Sequence, residues 1–172
     1  MDESAQRPRQ LYLIRHGLAE ECGPAWPDDT KRPLTDRGMS RLRKEVKALA
    51  AMGVLFDAVL TSPLVRTRQT AEIVASGFDP RPPVVNVEAL APGSSASATI
   101  AALEAYAKRM RLALVGHEPG IGELAARLIG AKRPIPFKKG AVCRIDVDQF
   151  PPAGPGELTW FLTPKMLRAL RP

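Results

Sequence analysis

Four short apolar runs, each broken off by glycine or polar residues, limit the architectures open to this chain. They are residues 11–14 (LYLI), 58–60 (AVL), 84–87 (VVNV) and 112–115 (LALV). Runs this short, bounded in this way, read as buried strands. Between them lie segments of helical period. Thr35 can cap a helix reaching about Met52, with Met39, Leu42, Val46 and Leu49 on one face and Gly53 as its stop. Ser62-Pro63 opens a second helix carrying Leu64, Thr67, Ala71 and Val74, because proline suits a first turn. Residues 96–109 and a segment from Pro119-Gly120 to about Ile129 predict two more.

Strands alternating with helices imply a mostly parallel sheet covered on both faces. The last third changes character: residues 141–147 and 158–162 are strand-like and flank the turn-rich stretch 150–156, which predicts an antiparallel hairpin. The expected fold is a single-domain, three-layer α/β/α arrangement with a mostly parallel central sheet and a C-terminal antiparallel hairpin. Residues 22–33 and 79–83 are expected as loops, 1–10 as a flexible tail, and 11–172 as one domain.

A chain of 172 residues suits one domain, since domains run to roughly 100–200 residues. Its 45% apolar and 25% charged content excludes a disordered chain. Two cysteines, Cys22 and Cys143, supply neither a disulfide framework nor a four-thiolate metal site. Met1 to Gln10 lacks the apolar stretch of a signal peptide, and no run is long enough to span a bilayer. These features predict a cytoplasmic protein with no membrane partner.

The net charge of +7 favours an anionic partner. The basic residues are scattered, as at Arg7–Arg9, Arg41–Lys44 and Lys138–Lys139, so the sum alone does not separate nucleic acid from phosphate. Two tryptophans, two tyrosines and five phenylalanines offer few platforms for base stacking, which argues against nucleic acid.

The two histidines are more informative. His16 follows the first strand in Arg15-His16-Gly17, and His117 follows the fourth in Gly116-His117. In open α/β sheets, ligands bind beyond the carboxyl ends of the strands. The second strand places Ser62 and Arg66 beyond its own end, where a helix N-terminus suits an anion. Arg15, His16, Arg66 and His117 thus form a cationic constellation with one nucleophile. Its chemistry is phosphoryl transfer: a neutral imidazole attacks phosphorus, and guanidinium forks stabilise the charge on the nonbridging oxygens. Gly17 is expected to let the backbone bend closely against the imidazole.

The ordered set Arg15-His16-Gly17, Ser62-Pro63-Leu64-Val65-Arg66 and Gly116-His117 resembles the histidine phosphatase superfamily, which is phosphoglycerate mutase-like in fold. A narrower resemblance, to SixA-type phosphohistidine phosphatases, rests on the short chain and four segments. These are Arg32-Pro33-Leu34-Thr35, Leu60-Thr61-Ser62-Pro63, Gln69-Thr70-Ala71 and Val115-Gly116-His117. Thr67 departs from the alanine more usual after the arginine.

The resemblance makes residues 11–172 a histidine phosphatase domain. It implies that His16 carries the phosphoryl group, that Arg15 and Arg66 bind phosphate, that His117 donates to it, and that Arg32 contributes at the pocket mouth. Larger members carry an inserted acid for the leaving group. Here Glu88 is the sole carboxylate in the corresponding stretch, a general-acid candidate whose alternative is a loop or strand-end carboxylate paired with arginine. No cofactor and no metal are implied, and His16, His117, Cys22 and Glu118 lack metal-ligand spacing.

The implied reaction is metal-independent removal of phosphate from phosphohistidine in a protein such as a histidine phosphotransfer domain. A phosphatase of small phosphorylated metabolites, and an anion- or RNA-binding module on the same fold, are the alternatives. Ser62 reads as a helix cap, Glu118 as a salt-bridge or helix-dipole residue, and Arg68 as facing solvent or a carboxylate.

Overall fold

Successive residues of the first strand face two different cores, and this alternation divides the molecule into layers. The computed structural model describes residues 7–170. Strand β1 (Arg9–Arg15) sends Tyr12 and Ile14 to one face, and Leu11 and Leu13 to the other. Strand β4 (Arg111–Gly116) beside it and β2 (Ala58–Thr61) beyond β4 divide in the same way. With β3 (Val84–Asn86), β5 (Val142–Val147) and β6 (Glu157–Leu162), they form a six-stranded sheet of order β3-β2-β4-β1-β5-β6. The pairs β3–β2, β2–β4 and β4–β1 are parallel, whereas β5 runs antiparallel to both β1 and β6. The mostly parallel sheet and the C-terminal hairpin are therefore as the sequence implied.

Helices α1 (Asp36–Ala51), α2 (Val65–Ser76) and α5 (Pro164–Ala169) contribute to the core that holds Tyr12 and Ile14. Helices α3 (Ala96–Ala102) and α4 (Gly120–Ile129) lie on the opposite face. Local chemistry explains α1. Thr35 Oγ1 accepts the Gly38 N–H at 2.9 Å, Leu42, Val46 and Leu49 are buried at helical spacing, and Gly53 exits with φ +78°. Leu112 to Val115 in β4 are fully buried, and each large aliphatic there contributes about 1.5–3 kcal/mol.

Three expectations change, and one helix is new. The segment expected as a helix over 96–109 ends at Ala102 and continues as a 3₁₀ turn, Leu103–Tyr106. The bonds Ala107 N–H to Glu104 O and Arg109 N–H to Tyr106 O tighten the chain toward β4, while Leu103 stays buried. The loop over 22–33 contains a 3₁₀ turn, Asp29–Lys31, capped by Asp28. Arg9 and Gln10 belong to β1 rather than to a tail, Arg7 and Pro8 are exposed and outside any regular element, and residues 1–6 of that expectation lie outside the described residues. Helix α5 was not foreseen, although Thr163 caps it and Pro164 begins it.

Candidate active site

Strand register brings the two histidines together. Arg15 pairs with Gly116, and the His16 N–H donates to Gly116 O at 3.1 Å. The next strand over is held equally, since the Ser62 N–H donates to Val115 O at 3.2 Å. His16, Ser62 and His117 thus leave adjacent strands at one edge of the sheet. The imidazole centroids lie 5.4 Å apart, with the rings inclined at 59°. The histidines are 4% and 5% exposed.

The contacts of each ring assign its protons. His16 Nδ1 lies 2.7 Å from Gly17 O. A carbonyl only accepts, so Nδ1 carries the hydrogen and Nε2 keeps its lone pair. Burial, reinforced by Arg66, Arg15 and Lys139, lowers the His16 pKa to about 4. Burial, together with His16 and Arg66, lowers that of His117 to about 3. Both rings are neutral at physiological pH, as a nitrogen nucleophile requires.

Gly17 is not needed for a close backbone approach. A Cβ there would meet only ordinary contacts, the nearest being Leu34 Cδ2 at 3.5 Å. Its role lies in the peptide groups: its carbonyl holds His16, and its N–H donates to Thr70 Oγ1 at 3.1 Å. Thr70 Oγ1 in turn donates to Arg66 O at 2.7 Å, so Thr70 ties the His16 loop to α2.

Arg66 is 5% exposed, and Asp29 holds it. Its two terminal nitrogens donate to Asp29 O at 2.9 Å and Asp29 Oδ2 at 3.0 Å. Arg32 donates through Nε to Asp29 Oδ1 at 2.8 Å and through Nη1 to Glu20 O at 2.6 Å. Arg32, expected at the pocket mouth, is thus engaged with Asp29 and a main-chain carbonyl. The hydrogen bond from Arg32 and the charge of Arg66 lower the Asp29 pKa to about 2, against some desolvation. Sequence reasoning missed Asp29, because nothing in its loop spacing announces a partner 37 residues away. Arg15 donates to Phe137 O at 2.7 Å.

Among the described residues, three buried side-chain nitrogens have no hydrogen-bond partner: Arg15 Nε, Arg66 Nε and His117 Nδ1. A buried unpaired donor costs about 1–3 kcal/mol. These donors lie on three of the four residues of the constellation, and an oxyanion would accept from them.

The flanking residues divide. Ser62 was expected to cap α2, but that helix starts at Val65 and its cap position is Leu64. Ser62 Oγ instead accepts the Leu64 N–H at 3.3 Å and contacts His117 Nε2 at 2.8 Å. Arg68 pairs with Glu72 at 3.0 Å. Glu88 is exposed, in no ion pair among the described residues. It is absent from the walls of the cleft of about 360 Å³ that Leu90, Ser94, His117 and Glu118 line. Glu118 is half-buried there, its pKa raised by burial, and its Oε1 accepts the Gly122 N–H at 3.0 Å in the first turns of α4.

Residues 11–91 match the model of the histidine phosphatase superfamily, branch 1. The chain is 42% identical over 119 residues to an uncharacterized protein of Picosynechococcus, covering 67% of this chain and 70% of that one. It is 27% identical over 166 residues to the phosphohistidine phosphatase SixA of Escherichia coli K12, covering 94% of this chain and 99% of the relative. The structure of a protein histidine phosphatase SixA complexed with tungstate superposes with a TM-score of 0.81 at 26% identity, over 91% of this chain and 97% of that one. With its sheet order, its two strand-end histidines and the match over residues 11–91, this chain belongs to the histidine phosphatase superfamily.

Proposed function

We propose that the protein is a metal-independent phosphatase that works through a phosphorylated His16 and removes phosphate from phosphohistidine in a signalling phosphoprotein. The observation that carries the reaction type is the set of three unpaired buried donors around a neutral His16. In the first step Nε2 of His16 bonds to phosphorus as the substrate's P–N bond breaks, while Nδ1–H stays on Gly17 O. A substrate ring protonated on its other nitrogen leaves as neutral imidazole. In the second step water attacks phosphorus, the bond to His16 breaks, and dihydrogen phosphate departs with both protons of the water. Arg15, Arg66 and His117 donate to the nonbridging oxygens in both steps.

Glu88 supports the choice of substrate by its position. An alkyl phosphate needs a proton on its leaving alkoxide, and the exposed Glu88 does not line the cleft beside His117. A phosphohistidine ring makes no such demand. The cleft of about 360 Å³ beside His117 favours one second reading, a phosphatase of a small phosphorylated metabolite. The two free cysteines fit a cytoplasmic setting.

The test compares hydrolysis of a phosphorylated histidine phosphotransfer domain with that of sugar and nucleotide phosphates, in EDTA. The phosphodomain should turn over with the higher kcat/KM, and acid-labile phosphate should be trapped on the wild type but not on His16→Ala. Efficient turnover of a metabolite with the phosphodomain untouched selects the second reading. No turnover, with salt-sensitive RNA binding, selects a non-catalytic module.

A further inference from the structure

Arg15 also lines a second groove, of about 660 Å³, whose other charged residues the chemistry above does not use. Arg15 from β1, Arg41 from α1, Lys138 and Lys139 from the loop before β5, and Arg168 from α5 all line it. Its one carboxylate, Glu45, is buried and bonds Arg168. Five cations therefore face one carboxylate that is already paired. Among the described residues, no carboxylate lies within ion-pair distance of Arg41, Lys138 or Lys139.

The groove is continuous with the catalytic strand end. The Gly140 N–H donates to both Arg15 O at 3.1 Å and His16 O at 3.0 Å, which clamps the lysine loop onto that strand. Phe137, whose carbonyl holds Arg15, meets Phe161 edge-on at 4.9 Å and gives the groove an apolar wall.

We propose that this groove docks an acidic protein surface, with Asp or Glu side chains near the phosphorylated residue seated against Arg41, Lys138 and Lys139 while the phosphoryl group meets His16. The assignment rests on the phosphatase reading above and names the surroundings of its substrate. A helical partner places side chains at steps of about 5.4 Å per turn, so acids one or two turns from the phosphorylated residue reach the groove. The cations come from separate elements, and both lysines are exposed. Such a spread matches several carboxylates on a surface rather than one compact second phosphate.

Poly-L-glutamate serves as the probe against hydrolysis of 4-nitrophenyl phosphate, so the result is independent of whether phosphohistidine is the substrate. Wild-type enzyme should be inhibited competitively, and added salt should weaken the inhibition. In Arg41→Ala/Lys138→Ala the inhibition constant should rise about five- to tenfold, while kcat/KM for the aryl ester stays within about twofold. Arg41→Glu/Lys138→Glu should abolish the inhibition. Arg168 is left intact because its loss would strand the buried Glu45. An inhibition constant unchanged in both variants overturns the proposal. So does the absence of inhibition by poly-L-glutamate together with a variant-sensitive KM for 3-phosphoglycerate, which would assign the groove to a small dianion. Retained, variant-sensitive inhibition with no turnover of a phosphodomain supports the groove and rejects the phosphohistidine reading alone.

Discussion

Ser62 Oγ sits 2.8 Å from His117 Nε2, with both side chains buried. The hydroxyl oxygen accepts the Leu64 N–H, and among the described residues its own hydrogen has no acceptor other than Nε2, so the buried hydroxyl donates to Nε2. Its hydrogen bond leaves the His117 proton on Nδ1, the nitrogen without a protein partner. A small hydroxyl thereby decides which edge of the imidazole is left free to donate.

Ser62→Ala should free His117 to change tautomer and lower kcat on an aryl phosphate about tenfold, the worth of one buried hydrogen bond. Long-range ¹⁵N spectra read the cause directly, because the chain has only two histidines. The Nδ1–H pattern of His117 should be lost in Ser62→Ala and kept in Ser62→Thr. An unchanged tautomer in Ser62→Ala would remove the hydroxyl from the mechanism.

Acid should destabilise the protein before its carboxylates titrate. Both histidines have folded pKa values below the ordinary 6.5, about 4 for His16 and about 3 for His117. The unfolded chain therefore binds protons that the folded chain refuses. Stability is full above pH 6.5 and falls as the pH drops toward 4, by up to about 1.4 kcal/mol per pH unit for each histidine. Urea midpoints measured between pH 7 and 5 should decline, and His16→Gln should flatten the slope. A level profile in the wild type would contradict the assignment of two neutral, buried rings.

Asp29→Asn should loosen Arg66 without unfolding the chain, since half of the Asp29 side chain is solvent-exposed. The Arg66 contacts at 2.9 and 3.0 Å combine a carbonyl and a carboxylate, and only the second loses its charge. The expected result is a fall of about tenfold in kcat/KM and a matching rise in the vanadate inhibition constant. Arg32→Gln, which touches Asp29 from the far side, should have a smaller effect. Equal kinetics in wild type and Asp29→Asn would mean that the carbonyl alone holds the guanidinium.

Gly38→Ala pits two effects against each other. Alanine gains about 1 kcal/mol of helix propensity over glycine in α1. The new methyl, however, would stand 2.1 Å from Leu18 O, a backbone atom just past the His16 loop. Relieving such a clash costs about 1–3 kcal/mol, so net destabilisation is expected, with activity lost as Leu18 shifts. Thermal melts and aryl phosphate kinetics check both parts. A variant as stable and active as the wild type would show that the loop yields freely.

Much of the site was legible because its signals are local. The run LYLI ending in Arg15-His16-Gly17, and LALV ending in Gly116-His117, mark strand ends without reference to anything distant. Thr35 caps α1 through a contact three residues away. Asp29 was illegible for the opposite reason, since its partner Arg66 lies across the fold. Ser62 was read as a cap from its neighbour Pro63, yet its contact is with His117, 55 residues on. Glu88 was nominated by its place in the chain, and folding left it exposed.

The amino-acid order by itself determined the alternation of strands and helices and the strand ends that carry His16 and His117. Those outcomes follow from periodicity and short-range capping, which act within a few residues. Tertiary structure alone decided the tautomers of the two rings, the clamp of Asp29 on Arg66, and the meeting of Arg15, Arg41, Lys138 and Lys139 around one groove. Such features depend on distances between segments far apart in the chain, and packing sets those distances only once the sheet has brought its strand ends into register.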